Sequence, residues 1–283
     1  MLKQRVVTAL VLVAIMFAAL AAPGRWPFAL VSLALFAAGA WEWARLNRTL
    51  PALLSAALFA LVGLGALAGG WGDAAPAALW RALALLWLGG GALVLWRGPA
   101  AWPRWPRLLR WLLGLSVLGG AWLALVHART IGINFMLSML CLVWMADIAA
   151  YFGGRAFGRR KLAPSISPGK SWEGLWSGVA GVLALALVWI WLDRASGFQV
   201  PSLYTRLVSA FGWPLAAAAL VGLSGLSVVG DLFESLVKRA AGAKDSSRLL
   251  PGHGGVLDRV DALLPVMPAS LALVGLSAGL GRG

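Results

Sequence analysis

Long apolar runs, broken by short segments rich in Arg, Pro and Gly, dominate the chain, and each run is about the length of a bilayer crossing. A hydrocarbon core about 30 Å thick takes roughly 20 mostly apolar residues per helix. Nine such runs lie near 6 to 22, 27 to 41, 51 to 71, 77 to 96, 109 to 126, 131 to 152, 173 to 192, 211 to 231 and 262 to 281. The pattern predicts an all-α polytopic membrane protein with about nine transmembrane helices. The first run follows Lys3 and Arg5 in the manner of a signal peptide. It leads into eight further spans with no separate mature domain, and so reads as a retained helix.

Lys and Arg set the direction of the spans, because cationic loops stay on the cytoplasmic side. With the N-terminus inside, the inner segments hold 18 of these residues, and the outer ones hold five: Arg25, Arg129, Arg194, Arg206 and Arg282. The N-terminus is therefore expected in the cytoplasm and the C-terminus outside.

Composition agrees. The 283 residues are 61% hydrophobic and only 12% charged, where a soluble domain carries about 25% charge, so a soluble enzyme is excluded. The net charge of +14 then describes mainly a basic inner face that attracts anionic headgroups of membrane lipid. Nucleic acid is not needed as a partner. A lone cysteine, Cys141, excludes a disulfide framework and a cysteine metal site. Trp26, Trp41, Trp71, Trp80, Trp96, Trp102, Trp105 and Trp111 fall near span ends, where an amphipathic ring suits the headgroup layer. Gly89 to Gly91, and Gly222 with Gly225, are expected to allow close helix packing. His127, at the outer end of a span, reads as interfacial.

The acids carry the functional signal. Only ten occur, and seven of them fall in two segments, Asp147 to Glu173 and Asp231 to Asp261. Both segments belong to the predicted inner face. Glu42 and Asp73 stand alone at span ends, and Asp193 lies on the outer side. Residues 1–145 therefore read as a transmembrane region without a motif, and residues 146–283 as a transmembrane catalytic region with two cytoplasmic motif loops.

Asp147 lies in the last turns of an apolar span, where an ionisable residue is costly. It is either a metal or substrate contact or an interfacial acid paired with Arg155 or Arg159. The tail SPGKSWEG offers Ser167, Gly169, Lys170 and Ser171 as phosphate donors. It is not a Walker loop, because Pro164 stands where that pattern needs glycine and no strand is expected before it.

The second segment is more specific. Asp231, Glu234, Ser235 and Lys238 share one helical face. Arg239, Lys244 and Arg248 follow. After a helix-breaking Leu-Leu-Pro-Gly come His253, Gly254 and Gly255, then Asp258, Arg259 and Asp261. Carboxylates hold a hard divalent cation through oxygen, with water and phosphate completing its shell. Lys and Arg neutralise charge on phosphorus oxygens. The chemistry indicated is phosphoryl or nucleotidyl transfer.

The run from Ser235 to Asp261, SLVKRAAGAKDSSRLLPGHGGVLDRVD, resembles the signature of the phosphatidate cytidylyltransferases, also called CDP-diacylglycerol synthases. It matches at Ser235, Lys238, Arg239, Lys244, Asp245, His253, Gly254, Gly255, Asp258, Arg259 and Asp261. The upstream runs DIAAYFGGR and SPGKSWEG are similar to the family's other marked region. The resemblance implies a Mg²⁺-dependent enzyme that joins CTP to phosphatidic acid, giving CDP-diacylglycerol and pyrophosphate, in the bacterial inner membrane with its active site facing the cytoplasm. It implies Asp231, Asp258 and Asp261 as metal ligands, with Asp147 as a further candidate. It assigns phosphates to Lys238, Arg239, Lys244 and Arg259, and substrate contacts to Lys170, Ser171, Ser235, His253, Gly254 and Gly255. A homodimer follows by the same analogy. An intramembrane enzyme that consumes CDP-diacylglycerol would need a D-G-x-x-A-R motif with acids four apart, which this chain lacks. A transporter or non-catalytic lipid binder would show inverted repeats and a mid-bilayer polar site, whereas here the polar cluster lies at one face.

Overall fold

The computed structural model describes residues 2–280, with the side chains of residues 2, 3, 5 and 277–280 left out. The side chains of Lys3 and Arg5 and the whole of Arg282, used above for orientation, lie outside the described residues. Among the described residues, seven helices are long and apolar enough to cross a membrane: Trp26–Asn47, Ala77–Arg97, Arg107–Ile131, Ile133–Phe157, Trp172–Ser196, Leu203–Ala240 and Leu257–Leu276. Val6–Ala21 and Ala52–Ala68 are shorter apolar helices. The protein is thus an all-α polytopic membrane protein with very little sheet.

In chain order the helices are α1 Leu2–Ala21, α2 Trp26–Asn47, α3 Ala52–Ala68, α4 Trp71–Ala74, α5 Ala77–Leu85, α6 Ala92–Arg97, α7 Arg107–Ile131, α8 Ile133–Phe157, α9 Trp172–Ser196, α10 Leu203–Ala240, α11 Leu257–Val260 and α12 Leu263–Leu280. A π-helical turn, Leu86–Gly91, joins α5 to α6. As one straight helix, α10 would run about 57 Å at 1.5 Å per residue, well beyond a bilayer core. It is broken at Gly212, whose φ of 71° leaves the helical region, two residues before Pro214. The expected span from 211 begins at this break.

Small residues bring α8 and α9 together, as is usual for helix contacts in membranes. A Cβ on Gly178 would lie 2.8 Å from the Ala146 carbonyl oxygen, and one on Gly174 would lie 2.9 Å from that of Ala150. The expectation for other glycines is corrected. A Cβ on Gly91 would come within 3.1 Å of Val229, but one on Gly89, Gly222 or Gly225 would meet nothing within 4 Å.

The tryptophans divide in the same way. Trp26, Trp71 and Trp96 are exposed as belt residues would be, whereas Trp80 and Trp102 are buried. Trp102 is drawn inward by a partner for its indole N–H, the Asn47 Oδ1 at 2.7 Å. It packs edge-on to Trp43, which stacks on Phe233 of α10. His127 sits partly buried with Nδ1 3.1 Å from the Gly72 carbonyl oxygen.

Polar contacts collect at two ends of the bundle. At one, Arg25 pairs with Asp73, and Asp193 accepts from Asn134, Ser202 and Thr205. That structural task accounts for Asp193, outside both motif segments. At the other end Thr8 Oγ1 donates to the Pro251 carbonyl at 3.0 Å. There an antiparallel hairpin also forms, β1 Lys161–Ala163 with β2 Ser167–Ser171. No strand was expected at this point. The hairpin carries SPGKS as its second strand and delivers Ser171 to the N-cap of α9, where Oγ accepts from Gly174 N at 3.1 Å.

Candidate active site

Between α8, α9, α10 and the hairpin opens a cleft of about 590 Å³, lined among others by Asp147, Arg155, Lys170, Asp231, Arg259 and Asp261. The two acidic segments, separate in sequence, meet here. Within the cleft they are joined by an ion pair, Lys170 Nζ to Asp231 Oδ2 at 2.6 Å. Asp231 also accepts from Ser235 Oγ at 3.3 Å, one turn further along α10.

Asp258 lines the same cleft and is the most heavily bonded of the acids that line it. Its Oδ2 accepts from Ser246 N at 3.0 Å, Ser246 Oγ at 2.8 Å and Gly255 N at 2.8 Å. Its Oδ1 accepts from Lys238 Nζ at 2.6 Å. Lys238 is shared, lying 2.5 Å from Glu234 Oε2 on its own helix face. Gly254 is required beside this carboxylate. Its φ is +82°, and a Cβ there would stand 2.8 Å from Asp258 Oδ2. The His253 carbonyl takes two hydrogen bonds from Arg259, at 3.1 Å from Nε and 2.6 Å from Nη2.

The loop that carries these residues is itself tied to the first half of the chain. Glu42 of α2 is fully buried. Its carboxylate accepts from Val256 N at 2.9 Å, Leu257 N at 2.7 Å, Ser246 Oγ at 3.2 Å and Ser247 Oγ at 2.5 Å. A Cβ on Gly255 would collide with both Ser246 Oγ and Glu42 Oε1. A glycine at that position is what lets loop and carboxylate close together.

Residues 3–277 match the model of the cytidylyltransferase family. The chain belongs to that family. A phosphatidate cytidylyltransferase of Pseudomonas aeruginosa is 40% identical, covering 97% of each chain. One from Haemophilus influenzae is 38% identical over 95% of this chain and 96% of its own. One from Brucella suis is 38% identical over 93% and 89%.

Within this cytidylyltransferase the residues singled out from sequence fall into three groups. Asp147, Lys170, Ser171, Asp231, Asp258, Arg259 and Asp261 line the cleft. Lys238, Ser235, His253, Gly254 and Gly255 stand behind it and hold the lining acids or Arg259. Lys244 and Arg239 point elsewhere. Lys244 lines a second hollow, with Arg45, Arg48 and Arg248. Arg239 donates to the carbonyls of Ile166 and Ala243. Glu173 serves the hairpin, accepting from Arg159 N at 3.0 Å and Arg160 N at 3.2 Å.

Three residues important to this geometry were not picked out by sequence reasoning. Ser246 carried no spacing signal, and Arg155 entered only as an alternative ion-pair partner of Asp147. Glu42 did carry one: an acid between two tryptophans at the end of an apolar run, where burial of a charge needs a reason. Its isolation from other acids concealed it, because its partners are backbone amides and hydroxyls rather than charged side chains.

Among the described residues no group of three or more Asp, Glu, His or Cys side chains is arranged to hold a metal ion alone. Mg²⁺ does not require one, since it takes one or two carboxylates and fills its remaining positions with water and phosphate oxygen. Asp147, Asp231 and Asp261 bring hard oxygen donors into one cleft, and their mutual repulsion is what a divalent cation relieves. Asp258 Oδ2 is saturated by its three donors, which leaves Oδ1, already facing Lys238, as its only free valence. The donor chemistry fits Mg²⁺, with Asp231 and Asp261 less heavily engaged by protein donors than Asp258.

Proposed function

We propose that this chain transfers the cytidylyl group of CTP to phosphatidic acid, giving CDP-diacylglycerol and pyrophosphate. The observation that carries the reading is the cleft itself, whose wall combines cationic Lys170, Arg155 and Arg259 with Asp147, Asp231 and Asp261. It occurs in a chain alike over nearly its whole length to phosphatidate cytidylyltransferases. Both substrates are polyanions, which suits the cations. One is a lipid, and the cleft shares Leu162, Leu175 and Val228 with an adjoining apolar hollow of about 430 Å³.

A phosphate oxygen of phosphatidic acid attacks the α-phosphorus of CTP. The bond from that phosphorus to the bridging oxygen breaks, and pyrophosphate leaves with the bonding electrons. The lipid phosphate is the nucleophile, so no protein nucleophile is needed. Catalysis is positioning and electrostatic stabilisation. Lys170, Arg155 and Arg259 bind and orient phosphate oxygens. Ser171 and Ser235 line or back the same site, Ser235 by steadying Asp231. Lys238, His253, Gly254 and Gly255 keep Asp258 and Arg259 in position. Asp231 and Asp261 would hold Mg²⁺, with water and phosphate oxygen completing its shell, and the ion would supply neutralisation of phosphate charge when bound.

Nine crossings with the cleft on the cytoplasmic side of the inner membrane complete the reading. Support comes from the 18 to five division of Lys and Arg and from the Thr8 to Pro251 contact, which joins the start of α1 to the motif loop. CTP is then presented from the cytoplasm.

The test is direct. Purified protein in detergent, given phosphatidic acid, labelled CTP and Mg²⁺, is expected to form labelled CDP-diacylglycerol and an equal amount of pyrophosphate, and to stop on addition of EDTA. Folded protein that yields no labelled lipid overturns the activity. Undiminished turnover in EDTA overturns the metal.

A further inference from the structure

The loop after α10 has two faces, and only one looks into the cleft. Behind the other lies a second hollow of about 570 Å³ lined by Arg45, Arg48, Lys244, Asp245, Ser246 and Arg248. Four of these side chains are cationic and one is acidic. Among the described residues none of the five takes part in an ion pair. The one close charge contact of the group is Arg45 over the ring of Trp41, 4.5 Å from its centroid.

Helix ends do not account for so much charge. Cations are favoured at helix C-termini, but the effect falls off within the last turn. That covers Arg45, in the last turn of α2, and Arg48, its C-cap. Lys244 and Arg248 lie beyond Ala240, where α10 ends, outside that reach. Nor is the hollow a second metal site, since Asp245 is its only carboxylate. Arg48 is moreover held at φ 49°, a conformation few non-glycine residues adopt. It is the only non-glycine with positive φ among the described residues.

We infer that this hollow is a second anion site, distinct from the cleft, that takes a phosphate-bearing group. Guanidinium groups recognise phosphate oxygens bidentately, and three arginines with a lysine around one open concavity match the oxygens of a phosphate group. Two sources share that chemistry: a soluble polyphosphate from the water side, and the headgroup of an anionic phospholipid. The site is built on the loop that fixes the cleft. Ser246, in its wall, also donates to Asp258 Oδ2 and to Glu42, so a bound phosphate touches the segment that orients the cleft acids.

The test omits CTP and phosphatidic acid, and because pyrophosphate is a product of the reaction proposed above and can also enter the cleft, a variant of each site separates the two. Inorganic pyrophosphate is titrated calorimetrically onto the full-length protein in phosphatidylcholine nanodiscs. In a second arm, retained phosphatidylglycerol is counted by native mass spectrometry after extraction from mixed-lipid membranes. Each is repeated with the double variant Arg48→Ala/Arg248→Ala and with Lys170→Ala, a cleft variant, after thermal unfolding has shown both to be folded. The double variant is expected to lose one of two pyrophosphate sites, weakened at least tenfold, or to retain one phosphatidylglycerol fewer, whereas Lys170→Ala weakens only the cleft site and leaves the second one filled. A loss in the first arm assigns the site to soluble polyphosphate, and a loss in the second assigns it to a lipid headgroup. Both arms unchanged in the double variant, or a loss seen only with Lys170→Ala, overturns the second site.

Discussion

Glu42 and Leu257 lie 215 positions apart, yet the carboxylate of one accepts the backbone N–H of the other at 2.7 Å. Together with Val256 N, Ser246 Oγ and Ser247 Oγ, this contact moors the motif loop to the second helix. A buried donor left without its acceptor costs about 1–3 kcal/mol. Glu42→Gln keeps the shape but turns an amide NH₂ toward groups that themselves donate. It is expected to destabilise the protein by roughly 2 kcal/mol or more on that scale and to lower kcat through misplacement of Asp258. Thermal unfolding and steady-state kinetics check both. Glu42→Asp, which retains two acceptors, should recover part of the lost turnover. Wild-type kcat in Glu42→Gln would mean the loop is anchored without it.

Lys238 stands between two carboxylates, 2.5 Å from Glu234 and 2.6 Å from Asp258, with little exposure for any of the three. Removing one partner of a buried pair leaves an uncompensated charge and costs about 3–5 kcal/mol. Lys238→Met should therefore approach that loss. Glu234→Gln should cost much less, because Lys238 keeps Asp258. Denaturant unfolding of the two variants and their combination gives the coupling. A Lys238→Met protein as stable as the wild type would show that the ammonium does not bridge.

The Lys170–Asp231 pair is of another kind, since both side chains are partly exposed and such pairs contribute about 0–1 kcal/mol. Asp231→Asn should leave the unfolding midpoint nearly unchanged while lowering kcat by about a hundredfold, the size of losses seen when a single electrostatic contact to the transition state is removed. It should also raise the Mg²⁺ concentration needed for half-maximal activity. Unchanged kinetics would remove Asp231 from the site.

Most spans were legible in the sequence because burial in lipid leaves a long, simple signal. The run near 131 to 152 became Ile133–Phe157, and that near 173 to 192 became Trp172–Ser196. What the pattern concealed follows from the same physics. A short hairpin such as Lys161–Ala163 with Ser167–Ser171 has too few residues for a period of two to register. Trp102 looked like a belt residue because hydropathy cannot see that Asn47 waits as its partner. The cleft acids were found by clustering, since acids are expensive near a bilayer. Glu42, satisfied by backbone amides and hydroxyls of a distant loop, stood apart from the other acids and so escaped the clustering. Lys244 and Lys238 shared a charged run with true cleft residues, and only the fold separates those that face the cleft from those behind it.

Gly225 offers the sharpest test of how the lipid is held. It lines the apolar hollow that shares Leu162, Leu175 and Val228 with the cleft, and a Cβ there would meet nothing within 4 Å. Glycine in a helix interior costs about 1 kcal/mol relative to other residues, so replacement by leucine should not destabilise α10 and may be compared at equal folding. Leucine would instead occupy part of the hollow. If the acyl chains of phosphatidic acid rest there, Gly225→Leu should raise KM for phosphatidic acid severalfold and leave KM for CTP alone, because the cationic wall of the cleft is untouched. Short-chain phosphatidic acid, which needs less of the hollow, should be affected less than the long-chain form. An equal rise in both KM values would point to a general distortion, and no rise in either would place the acyl chains outside the hollow.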